Sequence, residues 1–201
     1  MAKIDLDHLN QEYFDVLREI GNIGTGNATT ALAKMLDCKV DMYVPQVKLL
    51  EFSEVGNVIG GEELLMVGIY LGVQGEVSGS ILFMLEIGSA QKLIQLLLGC
   101  DSDNGHLSEM EESALKEIGN IISASYLNSL STLTGLSIYP TVPALSVDMA
   151  GAILSVPAIV YGTMADKLLM IQTQFFDGLN GYFILAPDLE SYEKILSSLG
   201  M

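Results

Sequence analysis

The sequence predicts an α+β fold: one internally duplicated, pseudo-two-fold domain in which an antiparallel β-sheet carries two long exposed motif helices and additional shorter helices. Three observations carry this expectation. The segment Leu17-Arg18-Glu19-Ile20-Gly21-Asn22-Ile23 returns as Leu115-Lys116-Glu117-Ile118-Gly119-Asn120-Ile121. A proline follows each copy at the same distance, Pro45 and Pro143. Beyond each proline come two apolar runs split by turn residues and then a closing amphipathic segment. A single domain over 1–201 is therefore expected, with repeats at about 7–99 and 108–201 joined by a polar linker at about 100–107.

In chain order, Leu17, Ile20, Ala28, Ala31, Leu32 and Met35 recur near helical spacing, which predicts one helix from about Asp7 to Leu36. Gly21, Gly24 and Gly26 interrupt it at a cost of about 1 kcal/mol each relative to Ala, so a close backbone approach or a bare helix surface is expected there. A short strand from Lys39 to Val44 should end near Pro45. Leu64 to Val73 and Val77 to Leu85 read as a hairpin around Gln74-Gly75-Glu76, and Ser89 to Leu98 as the helix closing the first half. The second half opens on the capping box Ser108-x-x-Glu111 with a helix to about Thr134. A strand from Leu136 to Val142, a hairpin of Leu168 to Phe176 with Gly181 to Ala186, and a helix from Leu189 to Leu199 complete it.

Half of the 201 residues are hydrophobic and 17% are charged, yet no apolar run approaches the ~18 residues that a membrane span requires. Nine basic against 25 acidic side chains give a formal charge of −16, which opposes nucleic acid and anionic lipid and leaves proteins as the expected partners. The N-terminus lacks the pattern of a signal peptide, so a cytoplasmic location is expected. Cys38 and Cys100 lie in unrelated contexts and are expected to remain thiols. Asp101, Asp103 and Glu112 approximate an EF-hand loop, but Gly105 falls one position early. His8 and His106, the only histidines, have no ligand-spaced companions, and no metal site is expected.

At about 100° per residue, Asp15, Glu19 and Asn22 fall within an arc of about 60° on their helix, as do Ser113, Glu117 and Asn120. Each copy thus carries one polar stripe. Its carboxylate can pair with a cation on a partner, while the amide one turn on holds a water through its carbonyl and NH2 group. That combination suits phosphoryl transfer, where the transition state is loose and catalysis rests on placing a water in line rather than on a strong base. A solvated helix face would explain one such pair. Glu and Asn persist in both copies, however, where Thr25 is matched by Ser123 and Asn27 by Ser125. The stripe lacks cations for a phosphoryl group, since Arg18 and Lys116 should point to another helix face, so the cations are expected from the partner.

The pattern Asp/Ser-x3-Glu-x2-Asn, followed after 22 residues by Pro, resembles the signature of the CheC, CheX and FliY family of chemotaxis phosphatases. It stands here twice, as Asp15, Glu19, Asn22, Pro45 and as Ser113, Glu117, Asn120, Pro143. Two copies and the absence of a further C-terminal domain bring the resemblance, which covers the whole chain, closest to the CheC branch. It implies a hydrolase that removes the aspartyl phosphate of phosphorylated CheY and has no cofactor of its own, with Mg²⁺ supplied by bound CheY. It further implies that Asn22 and Asn120 orient the attacking water and that Glu19 and Glu117 pair with a CheY lysine. Asp15 and Ser113 would flank the site. Pro45 and Pro143 would shape the loop beside the helix, since proline offers rigidity and no donor, and Gly21 and Gly119 would keep the helix surface low there. Binding to the receptor deamidase CheD is also implied, with Asp148 as the candidate contact, although Asp148 equally reads as a helix N-cap or first-turn residue ahead of Met149 to Leu154. A non-catalytic adaptor that binds CheY or CheD and acts by sequestration is the alternative allowed by the same stripes.

Overall fold

A computed structural model describes residues 11–99, 106–161, 167–175 and 178–200. Helix α1 (Gln11–Leu36) is followed by strand β1 (Met42–Glu51), helix α2 (Phe52–Ile59), strands β2 (Leu65–Gly75) and β3 (Gly79–Glu86) and helix α3 (Ile87–Leu98). Helix α4 (Glu109–Thr134) then leads into strands β4 (Ile138–Pro140) and β5 (Ala144–Met149), helix α5 (Ala150–Tyr161), strands β6 (Lys167–Phe175) and β7 (Leu179–Pro187) and helix α6 (Leu189–Ser198). The expected helix start at 7–10, His8, and the linker residues 100–105 with Cys100, Asp101 and Asp103 lie outside the described residues.

The expected capping box forms at α4. The Ser108 amide donates to the Glu111 carboxylate at 2.7 Å, and the Glu111 amide donates back to the Ser108 hydroxyl at 3.4 Å. Gly135, at φ 73°, ends α4 in the left-handed conformation, its amide donating to the Ser131 carbonyl at 2.8 Å. Helix α2 was not legible in the sequence because its cap is an unusual one, Glu51, which completes a capping box with Glu54 over only eight residues.

All described strand pairs are antiparallel, in the order β1-β6-β7-β3-β2-β4, with β5 also pairing β2. β1 thus joins the sheet through β6 of the second half, and β5 joins through β2 of the first, so neither half closes a sheet alone. Period-two alternation gives the central strands β2, β3, β6 and β7 two apolar faces. Ile69, Leu71, Phe83, Ile171 and Phe183 pack under α1, α3, α4 and α6. Met66, Leu82, Met84, Met170 and Ile184 pack under Val55 and Ile59 of α2 and Ile153 of α5. The result is three layers, with the central sheet apolar on both sides.

The strand expected to end at Pro45 instead runs through it. Tyr43 pairs with Gln174 and Gln46 with Gln172, so Val44 and Pro45 together stand opposite Thr173 as a bulge. On the other edge Pro140 pairs with Val73, the Thr141 amide donates to the Gly72 carbonyl at 2.8 Å, and Ala144 pairs with Tyr70. Thr141, Val142 and Pro143 thus form the connection between β4 and β5, which passes Leu71 between the two stretches that pair with β2. A proline cannot donate to a ladder, and a bulge on an edge strand is where that loss costs least.

Candidate functional site

Helices α1 and α4 pack side by side on one face of the sheet. Gly21 and Gly119 point inward: a Cβ on Gly21 would meet Val47 at 3.5 Å, Ile171 at 3.7 Å and Val44 at 3.8 Å, and one on Gly119 would meet Ile69 at 2.8 Å. Contrary to the expectation that these glycines lower the outer surface, both are buried and let the helices approach the sheet. Counting about 100° per residue from Gly21, Asn22, Asp15 and Glu19 lie about 100°, 120° and 160° away, on the outer side. Both stripes accordingly face solvent: Asp15, Glu19, Asn22, Ser113 and Glu117 are exposed and Asn120 is half-buried.

The side chains of Glu19, Asn22, Glu117 and Asn120 form no hydrogen bond or ion pair with a described residue. Their carboxylates and amides are free to engage a partner. Val44 and Val47 bracket Pro45 and both face Gly21, so the proline bulge lies against the turn of α1 that carries Asn22. Pro45 therefore sits in a strand bulge and not in the loop expected from sequence, whereas Pro143 lies in the connection between β4 and β5.

Charge on the stripes differs from the expectation at one point. Arg18 Nη1 lies 3.8 Å from Asp15 Oδ1, with both groups exposed, so Arg18 leans toward the first stripe and not away from it. Exposed pairs of this kind contribute about 0–1 kcal/mol, which leaves Arg18 easily displaced. Lys116 pairs with Glu112 at 3.2 Å, off the second stripe. Among the described residues, no three His, Cys, Asp or Glu side chains come together as a metal site. Each stripe can hold a water and accept a cation but has too little positive charge to bind a phosphoryl group unaided.

Sequence reasoning missed a polar cluster beneath the first stripe. The ring of Tyr126 occupies the notch left by Gly24, where a Cβ would fall inside it. The ring also stacks on Phe183 with centroids 4.4 Å apart. Its hydroxyl lies 2.8 Å from Thr25 Oγ1 and 3.1 Å from Thr173 Oγ1. Burial pushes the Tyr126 hydroxyl above the usual tyrosine range, while both threonine contacts act in the opposite direction. A size exchange between the copies was the available signal: Gly24 is matched by Ile122, and Tyr126 by Ala28.

Asp148 is the penultimate residue of β5, where it pairs with Met66 and is exposed. Its Oδ1 accepts from the Met149 amide at 2.7 Å, and α5 begins only at Ala150. The N-cap or first-turn reading is thus replaced by a strand position, flanked by the exposed Leu65 and Met149 pair.

A family model described as CheC-like matches residues 14–49 and 110–147, the two segments that hold the stripes and both prolines. The chain is similar to the CheY-P phosphatase CheC of Bacillus subtilis (strain 168), with 38% identity over 200 residues that cover 96% of each chain. Its fold is similar to the crystal structure of Thermotoga maritima FliY, with TM-score 0.75 and 21% identity over 96% of this chain and 98% of that one. A lower fold similarity, TM-score 0.52 with 19% identity over 82% of this chain and 96% of that one, relates it to the CheX-CheY-BeF3-Mg²⁺ complex of Borrelia burgdorferi. No described helix is long and apolar enough to cross a membrane. With two stripes matched in sequence and nearly the full length shared at 38% identity, the chain belongs to the CheC-like family.

Proposed function

We propose that the chain is a protein aspartyl-phosphate phosphatase that dephosphorylates phospho-CheY in chemotaxis, each stripe supplying half of an active site. The observation that carries this reading is the pair of solvent-facing Glu/Asn couples, Glu19 with Asn22 and Glu117 with Asn120, left without partners among the described residues. The name of the Bacillus subtilis relative as a CheY-P phosphatase supports the substrate. CheY brings the phosphoryl group, Mg²⁺ and a lysine. Glu19 or Glu117 pairs with that lysine and fixes the docking register. Asn22 or Asn120 holds a water in line with phosphorus. The water oxygen bonds to phosphorus as the bond to the aspartyl oxygen breaks, releasing inorganic phosphate and a free carboxylate. Asp15 and Ser113 flank the two sites, and the Pro45 bulge and the Pro143 connection shape them. The protein acts in the cytoplasm as one domain of two repeats, and Asp148 on the exposed end of β5 serves as the contact for CheD.

The decay of phospho-CheY tests the reading, measured with the wild-type protein, with Asn22→Ala, with Asn120→Ala and with both together. The double variant should leave decay at the rate of CheY alone. Decay as fast as wild type in the double variant would remove the catalytic reading. Binding of phospho-CheY by the wild-type protein with no change in its lifetime would establish the adaptor in its place.

A further inference from the structure

We propose that Tyr126 is a positioning residue for the first stripe alone, reaching from α4 to fix the turn of α1 that carries Asn22 against β6 and the Pro45 bulge. This rests on the phosphatase reading above. Thr25 follows Asn22 by one helical turn, and its hydroxyl is 2.8 Å from that of Tyr126. Thr173, 3.1 Å from the same hydroxyl, is the residue that faces Val44 and Pro45 across the bulge. One phenol therefore ties together the two features that build the first site, its helix turn and its proline bulge. Three hydroxyls in a row are mutually satisfiable, because each is one donor and two acceptors. The Gly24 notch receives the phenol ring, and the Phe183 ring stacks on it.

The second site has no such tie. Ser123 takes the place of Thr25, Ala28 that of Tyr126, and Leu71 that of Thr173 beside the β4–β5 connection that carries Pro143. Among the described residues the Ser123 hydroxyl is buried without a hydrogen-bond partner. The two stripes share their outward-facing Glu and Asn but are supported by different chemistry underneath. Because Tyr126 belongs to α4, a merely structural role would strike the stripe on its own helix at least as hard. Action on the other helix is what separates positioning from stability.

The test measures steady-state turnover of phospho-CheY by the full chain, with Tyr126→Phe placed in two backgrounds. In Asn120→Ala, where only the first stripe works, kcat should fall about fivefold, while KM, set by Glu19, stays within about twofold. In Asn22→Ala, where only the second stripe works, both constants should hold. Thr173→Val should repeat the pattern from the sheet end of the tie and serves if Tyr126→Phe does not fold. Thr25→Ser keeps the hydroxyl and should retain turnover. Equal loss in both backgrounds, or an unchanged kcat in Asn120→Ala, would overturn the proposal. Absence of turnover by the wild-type protein would instead remove the phosphatase reading, and this inference with it, before any Tyr126 variant is compared.

Discussion

Gly119 lies so close to Ile69 that a Cβ on it would come within 2.8 Å of both Cδ1 and Cγ2 of that side chain, whereas the nearest atom to a Cβ on Gly21 is 3.5 Å away. The repeated glycine thus has two different tolerances. Gly119→Ala must push α4 off β2 or move Ile69 from its rotamer, and should destabilise by about 1–3 kcal/mol. Gly21→Ala meets only ordinary contact and gains helix propensity worth about 1 kcal/mol, so it should be neutral or stabilising. Urea unfolding of the two variants, compared at constant m, checks the difference.

How much of this was legible beforehand follows from which forces act locally. The helices α1, α3, α4 and α6 and both hairpins follow from side-chain periodicity and caps, which neighbouring residues set among themselves. The Glu and Asn couples were legible because helical spacing alone puts each pair on one face. The Pro45 bulge was not, since register through Pro45 is decided by Gln172 and Gln174, residues distant in sequence. The inward direction of Gly21 and Gly119 and the seat of Tyr126 in the Gly24 notch depend likewise on packing between elements.

If Glu19 and Glu117 dock CheY as proposed, their removal should act chiefly on affinity. Glu19→Ala and Glu117→Ala combined should weaken phospho-CheY binding about tenfold, and the affinity of the wild-type protein should fall as salt rises because these carboxylates are exposed. Titration calorimetry or fluorescence binding at two ionic strengths reads both effects. Unchanged affinity in the double variant would end the lysine-pairing role.

Tyr192 presents the opposite case from Tyr126. Its hydroxyl is buried without a hydrogen-bond partner among the described residues, and burial holds it well above the usual tyrosine range. Removing an unsatisfied buried group while keeping the ring relieves its desolvation cost, so Tyr192→Phe should stabilise by about 1 kcal/mol. The sign of the pH effect follows as well. The native phenol keeps its proton where the unfolded one, near pH 10, loses it, so native stability is full below about pH 10 and declines above it. Burial also raises Tyr126 and Tyr182. Tyr192→Phe should therefore flatten the alkaline decline without abolishing it, which urea midpoints at pH 8 and above pH 10 would show.

The contact between Gly24 and Tyr126 sets how closely the two motif helices meet. A methyl group at Gly24 would occupy the space of the Tyr126 ring, and that ring is held by its stacking on Phe183 and by the contacts of its hydroxyl with Thr25 and Thr173. The helices would have to separate, so Gly24→Ala should destabilise by about 2–3 kcal/mol despite its gain in helix propensity. Tyr126→Ala alone should cost about 3–5 kcal/mol through the cavity it leaves. In the double variant the clash is gone and the added methyl fills part of the cavity. The combined cost should then be smaller than the sum of the two single costs by more than about 1 kcal/mol. Additive costs in a double-mutant cycle from urea unfolding would mean that Gly24 is not what admits Tyr126 between the helices.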